Sequence, residues 1–432
     1  MGYFFRLWTR LKQSVLLRNT IWMFLGQGMR QLLRAVYFLI IPRALGVEQY
    51  GLFVGVTSLA AILAPFSTLG IGNLLIKNVS RDRNVFAEYW GNSLILTAAS
   101  GGALVALMMG ISKIFIPGKF PWLLVFVVAV SDLLFAKVLD VGSQAFQACD
   151  LMKKTAQLNV VASMSRVVGA IFLVVLVRHS NAMTWSWIYL SASVITTLIT
   201  MSWVNRQLGH PVLALWRIKP EMLEGCYFSV SMSSQSIYND IDKTMLVQLS
   251  TLDGAGIYAA AYRLIDVAFL PVRSLLWAMY PSFFRHGQAG IGASQKYARR
   301  LLPRAFGYSL LACAALFVGA PIVPHLLGAE YARTTIALRW LAPLPLLKTL
   351  HYFVADSLTG AGMQGLRTAV QVGVAIFNVL LNLWLIPAYS WRGAAWSSLA
   401  SDGMLAVSLW VLVFWLGRQR APGELAASEI SA

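Results

Sequence analysis

Charge is the scarcest feature of this sequence. Only 12% of its 432 residues are Asp, Glu, Lys or Arg, whereas a soluble globular chain carries roughly 25%. Hydrophobic residues make up 58%, and the mean hydropathy is +0.66. The apolar runs are long and do not alternate with a period of two, which excludes an outer-membrane barrel. The composition therefore predicts an all-α, polytopic membrane protein.

Residues that carry chemistry are scarce as well. The three cysteines are scattered in or beside apolar segments, and the five histidines are equally dispersed. Neither set has the spacing of a metal site or of a disulfide framework. We find no Walker loop and no arrangement of a nucleophile with a base, so we expect no cofactor and no enzyme activity. The predicted outward loops are short, which argues against a membrane glycan polymerase or ligase with a large catalytic loop.

Apolar segments of about 20 residues recur about twelve times, and each is long enough to cross a bilayer. They lie at 20–42, 51–75, 86–110, 121–147, 156–177, 184–204, 226–249, 256–280, 303–323, 334–357, 367–386 and 394–416. Two longer connections lie at 205–225 and 281–302. We expect a basic amphipathic segment at 1–19, six-helix bundles at 20–204 and 226–417, a linker at 205–225 and a tail at 418–432.

Basic residues outnumber acidic ones by 35 to 17, and their positions indicate an orientation. With the N-terminus inside, the cytoplasmic segments hold about 19 Lys and Arg residues and the opposite loops hold about six. This bias predicts that both termini are cytoplasmic. We expect no cleavable signal peptide, and we expect the basic loops to contact membrane lipids.

The helical hairpin predicted within 227–285 carries charge at membrane depth. Its charged residues are Asp240, Asp242, Lys243, Arg263, Asp266 and Arg273. An ionisable group there costs roughly 2.5–3.5 kcal/mol on insertion scales, so such residues face a protein interior or a water-filled cavity. The first span adds Arg30 and Arg34, four residues apart on one face, which favours an anionic ligand or a bridging acid. We expect the wall of a cationic chamber to centre on spans 1, 7 and 8.

Simpler explanations exist for several of these charges. Lys137 with Asp140, Asp240 with Lys243, and Arg263 with Asp266 are each spaced to form ion pairs on one helix face. The second pair would leave Asp242 rotated away. Other residues with structural explanations are Arg339 and Lys348, which either snorkel or pair with Asp356, and Asp132 and Asp402, which fit polar contacts. The pattern Asp240-x-Asp242 also occurs in glycosyltransferases, but there it lies on a loop.

Neutral polar residues and prolines complete the pattern. Polar side chains that would line a water-filled or sugar-lined path are Gln27, Asn73, Gln235 and Asn239. Prolines at 65, 271, 343 and 345 predict kinks within spans 2, 8 and 10. Segments 44–65 and 251–271 each combine a Gly-bearing turn, a Tyr that begins the next helix, and a later Pro. This similarity suggests a parallel repeat of two six-span halves, with a substrate site at their interface.

Three stretches resemble one known family. The stretches are RALGVEQYGLF with SLAAILAPFSTLGIGNLLIKNVSR, NDIDKTML with LDGAGIYAAAYRLID, and LLGAEYARTTIALRWLAPLPLL. They are similar to segments of the bacterial Wzx-type polysaccharide, or O-antigen, flippases of the MOP superfamily. The resemblance implies a MATE-like, V-shaped pair of six-helix bundles around a central cavity. It also implies alternating access and a substrate of undecaprenyl-diphosphate-linked oligosaccharide in the bacterial inner membrane.

The residue chemistry is compatible with that substrate, because Arg binds a diphosphate through two parallel hydrogen bonds. Expected substrate-binding residues are Arg30, Arg34, Arg263 and Arg273, with Arg166 and Lys243 as outer contributors. Asp240, Asp242 and Asp266 are candidates for proton or sodium coupling. Expected partners are the lipid-linked oligosaccharide and, in the same pathway, a glycan polymerase and a chain-length regulator. The main rival is a multidrug antiporter of the same superfamily, which would require an acidic cavity.

Overall fold

The computed structural model describes residues 15–80, 82–115, 121–177, 180–217 and 222–429. Within these ranges the regular structure is helical and no strand is present. The chain divides into two compact units, the first ending at Ser236 and the second beginning at Ile237. Most of the predicted N-terminal segment, residues 1–14, lies outside the described residues.

The first unit is built from seven helices and the start of an eighth. They are α1 (Val15–Leu63), α2 (Ile71–Val79), α3 (Phe86–Phe115), α4 (Trp122–Ala129), α5 (Ala136–Ala148), α6 (Met152–Leu176), α7 (Ala182–Leu208) and α8 (Met222–Leu249). A six-residue π-helical segment, Val130–Phe135, joins α4 to α5 without a loop. A buried core between α2, α3, α5 and α7 includes Trp90 and Phe146.

The second unit holds the end of α8 and seven further helices. They are α9 (Leu252–Gly287), α10 (Ile291–Gly319), α11 (Val323–Leu327), α12 (Thr334–Leu341), α13 (Leu344–Gly360), α14 (Gln364–Tyr389) and α15 (Trp391–Glu429). One buried core joins α13, α14 and α15, and another joins α9, α10 and α13.

The predicted all-α membrane architecture is confirmed. Nine helical stretches among the described residues are long and apolar enough to cross a membrane. Large apolar side chains are widely exposed, including Val175 at 70%, Val318 at 76% and Trp384 at 74%. Hydrocarbon solvates such surfaces without the penalty that water imposes. The chain is therefore a multi-pass membrane protein.

The predicted second span, 51–75, is wrong as a single helix. Helix α1 already contains its start, because only Gly46, with φ 76° and ψ 167°, interrupts the helical backbone between 15 and 63. The helix then ends at Leu63, and Pro65 lies in a 3₁₀ turn. Gly70 adopts the left-handed conformation before α2 begins. Proline lacks the N–H that would continue the helix, so Pro65 marks an end and not a kink.

One predicted connection is shorter than expected. The segment 281–302 is largely helical, because α9 runs to Gly287 and α10 begins at Ile291. The turn before α9 is tight, as the Gly-bearing sequence predicts. The Thr251 hydroxyl accepts a hydrogen bond from the Gly254 backbone N–H at 3.1 Å, so this N-cap starts the helix at Leu252. The predicted tenth span is divided into α12 and α13, with Pro343 between them.

Candidate functional site

Helices α1 and α6 approach each other closely at a glycine. A Cβ atom on Gly26 would lie 2.5 Å from the Cβ of Ala156, a distance that only glycine permits. Gly26, Arg30 and Arg34 are spaced four residues apart and therefore share one face of α1. The close approach consequently turns both arginines toward α6.

The two arginines line a cavity inside the first unit. Its empty volume is about 470 Å³, including the open mouth. The polar and charged side chains of the lining come from α1, α5, α6 and α7: Arg30, Arg34, Asp140, Asn159, Ser163, Ser165, Arg166, Ser193 and Thr196. The cavity thus presents three guanidinium groups together with hydroxyl and amide groups, a set of donors suited to an oxyanion.

The carboxylate in this lining already has a cation. Lys137 Nζ lies 2.9 Å from the Asp140 carboxylate, which confirms the predicted pair. Asp140 also interacts electrostatically with Arg30. With Lys137 beside it, Asp140 offsets little of the positive charge that the three arginines bring to the cavity.

The third arginine, Arg166, contacts an aromatic ring. The Arg166 guanidinium lies 4.7 Å from the centre of the Tyr189 ring. The Tyr189 hydroxyl donates to Asp132 at 2.7 Å. Asp132 sits on the π-helical segment, where Thr197 donates to the Phe135 carbonyl at 2.8 Å. Such segments are frequent at functional sites because they rotate side chains out of the regular helical register. Asp132 and Tyr189 therefore fix the position of Arg166.

The second unit contains a different charged network. Lys243 lies 2.5 Å from Asp240, which confirms that pair. Asp242 points elsewhere, as predicted: its carboxylate accepts hydrogen bonds from the hydroxyls of Tyr258 and Ser398. Asp242 is fully buried. The Asp242 carboxylate is therefore stabilised by hydrogen bonds from neutral side chains of α9 and α15. Lys243, the next residue, forms its ion pair with Asp240 instead.

Lys348 corrects one expectation. It donates to the Tyr262 hydroxyl at 2.9 Å and lies 4.0 Å from Asp266, and it does not pair with Asp356. Asp356 instead lies 3.3 Å from Arg367 on α14. The reason is geometric, because Lys348 and Asp356 are eight residues apart and packing turns Lys348 toward α9.

A buried pair of His351 and Asp402, 2.9 Å apart, joins α13 to α15.

The predicted substrate-binding set is therefore divided. Arg30, Arg34 and Arg166 line one cavity, whereas Lys243 belongs to the network of the second unit. Arg263 and Arg273 on α9 interact electrostatically with Asp266. The lining of the arginine cavity does not include them, nor does it include Gln27 or Asn73. The Asn239 carbonyl accepts from Lys243 at 3.1 Å, and the side chain of Gln235 lies outside the described residues.

Several participating residues were not predicted. Asn159 lines the cavity and lies seven residues before Arg166 on α6, a spacing that keeps both on one face. That spacing was the available signal. Tyr189, Tyr258, Tyr262 and Ser398 gave no signal, because an aromatic or hydroxyl residue in an apolar span is usually part of the packing. Among the described residues, no group of three or more His, Cys, Asp or Glu is placed to hold a metal ion.

Comparison with known families identifies this architecture. The sequence matches the family model described as "Polysaccharide biosynthesis protein" over residues 16–286, more than half of the chain. The chain belongs to this family. A relative from Haloferax volcanii, described as a probable low-salt glycan biosynthesis flippase, Agl15, is 21% identical over 392 residues. The alignment covers 88% of this chain and 79% of the relative.

Solved structures show the same fold. An inward-facing multidrug resistance MATE family transporter of the MOP superfamily superposes with a TM-score of 0.74 and 17% identity, over 97% of this chain and 100% of its own. A MOP superfamily transporter from Pyrococcus furiosus, whose binding pocket is described as having reverse polarity, has a TM-score of 0.63 and 16% identity, covering 93% and 96%. The protein therefore has the MATE-like MOP fold.

Proposed function

We propose that this protein is a flippase that moves undecaprenyl-diphosphate-linked oligosaccharide across a bacterial inner membrane by alternating access. The observation that carries the proposal is the cavity with Arg30, Arg34 and Arg166 in its lining. A diphosphate does not cross hydrocarbon unaided, because its charges lose their hydration. Guanidinium groups replace that hydration with bidentate, charge-assisted hydrogen bonds.

The biological setting belongs to the same proposal. The product would serve the synthesis of O-antigen, capsule or exopolysaccharide, with a glycan polymerase and a chain-length regulator as partners. The distribution of Lys and Arg supports cytoplasmic termini. We include Arg263 and Arg273 of the second unit as further contacts of the anion. They are tested separately, because the described cavity does not contain them.

We propose that the second unit couples transport to an ion, with Asp242 as its central residue. Asp242 is fully buried, and its hydrogen bonds come from the hydroxyls of Tyr258 and Ser398. Such a carboxylate can exchange a proton, or a small cation, without losing an ion pair. Asp240 and Asp266 lie beside lysines, so we assign them the role of compensating Lys243 and Lys348.

The test uses purified protein in liposomes that contain a fluorescent polyprenyl-diphosphate oligosaccharide. An impermeant quencher reports the transfer of the lipid between leaflets, with and without a proton or sodium gradient. We expect the native protein to accelerate transfer and the variant Arg30→Ala/Arg34→Ala/Arg166→Ala to lose at least tenfold in rate. The matched control is Arg83→Ala. Arg83 is an exposed arginine outside the cavity, and it forms a surface ion pair with Asp150 at 3.5 Å.

Two outcomes would contradict the proposal. Transfer at the protein-free rate with the native protein would refute the assigned substrate. Equal rates for the triple variant and for Arg83→Ala would refute the site. The second candidate is a multidrug antiporter, which the MATE transporter fold favours. Gradient-driven uptake of a cationic dye by the same liposomes, with no transfer of the glycan lipid, would establish that function instead.

A further inference from the structure

The segment that follows α7 is attached to the start of α3. Asn92 is fully buried, and its side-chain amide makes two hydrogen bonds to one backbone unit. Its Nδ2 donates to the Ala214 carbonyl at 2.9 Å, and its Oδ1 accepts from the Ala214 N–H at 2.8 Å. Asn92 thereby satisfies both polar groups of Ala214, as a neighbouring strand would.

Two further contacts hold the same segment, and a third holds the end of α7 before it. The Val212 N–H donates to the Ala87 carbonyl at 2.8 Å. A Cβ atom on Gly91 would fall 2.7 Å from the Val212 carbonyl carbon and collide with its oxygen. The Trp90 indole donates to the Asn205 side chain at 3.0 Å. We call this arrangement the linker clamp; it consists of Ala87, Trp90, Gly91 and Asn92.

The clamp exposes the apolar side chains that it holds. Val212 is 52% exposed, Leu213 61%, Leu215 54% and Trp216 71%, whereas Ala214 between them is buried. Residues 212–214 have no regular secondary structure, and a 3₁₀ turn begins at Leu215. Backbone outside a helix can lie beside lipid only where its polar groups are satisfied, and the clamp satisfies those of Ala214 and the N–H of Val212.

Basic residues are the nearest charges in the sequence to this segment. Arg206, Arg217 and Lys219 lie within 205–220, and the two acids of the linker, Glu221 and Glu224, follow them. Trp is enriched where a membrane meets water, because its ring is apolar and its N–H is polar. Basic residues beside such a segment are attracted to anionic headgroups. This charge complementarity favours a lipid surface over another protein.

We propose that residues 212–216 form a built-in anchor in the headgroup region of an anionic bilayer, positioned by the linker clamp. The anchor fixes the beginning of the connection between α7 and α8 to the membrane surface. It does not depend on the transported substrate.

The experiment uses the full chain with its native cysteines replaced and a single new cysteine, Leu213→Cys, labelled with an environment-sensitive fluorophore. The protein is placed in nanodiscs of phosphatidylethanolamine and phosphatidylglycerol that carry a nitroxide near the lipid carbonyls. We expect blue-shifted emission and strong quenching by the nitroxide. The matched control is Gln288→Cys, an exposed position in another connection, which we expect to be quenched at least threefold less.

A second comparison tests the clamp. Asn92→Leu should reduce quenching at position 213 at least twofold, whereas Asn78→Leu, a change on α2, should not. Discs of phosphatidylcholine should quench less than the anionic discs. Emission at position 213 that resembles position 288 would overturn the proposal. So would a blue-shifted label that the lipid nitroxide does not quench, because a protein would then cover it. Unchanged quenching in Asn92→Leu would overturn the role of the clamp.

Discussion

The substitution Arg166→Lys separates the geometry of the cavity from its charge. Lysine keeps the positive charge but loses the planar fork that donates two parallel hydrogen bonds. It also loses the stacking that places the guanidinium 4.7 Å from the centre of the Tyr189 ring. The prediction therefore concerns affinity at constant charge.

The size of the effect follows from these two losses. A hydrogen bond to a charged group contributes about 1.5–3 kcal/mol, and a cation–π contact contributes about 0.5–2 kcal/mol. Lysine recovers part of both, which leaves a loss of about 2 kcal/mol. Since about 1.4 kcal/mol corresponds to a factor of ten, we expect the half-saturating content of glycan lipid to rise about 30-fold.

The assay measures leaflet transfer while the mole fraction of the glycan lipid is varied. The half-saturating fraction should rise, with a smaller change in the maximum rate. Arg83→Lys is the control, because a surface pair contributes about 0–1 kcal/mol. Tyr189→Phe should keep most of the affinity, since the ring remains, and Tyr189→Ala should not. If Arg166→Lys matches the control, or lowers only the maximum rate, Arg166 does not bind the substrate.

Three further predictions concern the second unit. Asp242→Asn should abolish gradient-driven accumulation but spare gradient-free exchange, measured in the same liposomes; equal loss of both would refute its coupling role. Lys348→Met should lower stability by about 2 kcal/mol, because the buried hydrogen bond to Tyr262 and the 4.0 Å contact with Asp266 are lost, and adding Asp266→Asn should recover part of it in thermal denaturation. Gly360→Ala should cost over 1 kcal/mol, since its Cβ would meet backbone of α9; Gly373→Ala, with open space, should change stability by under about 0.5 kcal/mol.

The sequence was sufficient for the fold class because membrane solvation imposes a simple rule. Spans of about 20 apolar residues are required to cross hydrocarbon, and most helices follow the predicted spans, with the second and tenth spans as exceptions. The helix ends were less predictable. Helices α9 and α10 continue beyond the apolar windows, so hydropathy does not detect their ends. The cap at Thr251 was a local signal for the start of α9 that hydropathy could not provide.

The candidate site was predictable only where its residues lie on one helix. Arg30 and Arg34 are related by the helical repeat, as are Lys137 and Asp140. The position of Arg166 beside the first pair depends on the register of α1 against α6. That register comes from the packing of the whole helix pair, which includes the close approach of Gly26 to Ala156. Hydropathy and spacing contain no information about such a contact between distant segments.

The two units differ in how their charges are satisfied, which changes the role expected for Lys243. The cavity of the first unit has three guanidinium groups in its lining, and its carboxylate, Asp140, already has Lys137. In the second unit, Lys243 lies 2.5 Å from Asp240 and 4.4 Å from the centre of the Tyr262 ring. To bind an anionic substrate, Lys243 would have to leave Asp240 uncompensated, which costs about 3–5 kcal/mol when the pair is buried.

We therefore expect Lys243→Met to lower thermal stability while leaving the half-saturating content of glycan lipid within about twofold of the native value. Lys243→Arg, which retains the ion pair, should lose less stability than Lys243→Met. The same leaflet-transfer assay measures the affinity, and thermal denaturation measures the stability. A rise in half-saturation comparable with that of Arg166→Lys, without a loss of stability, would instead make Lys243 a substrate-binding residue.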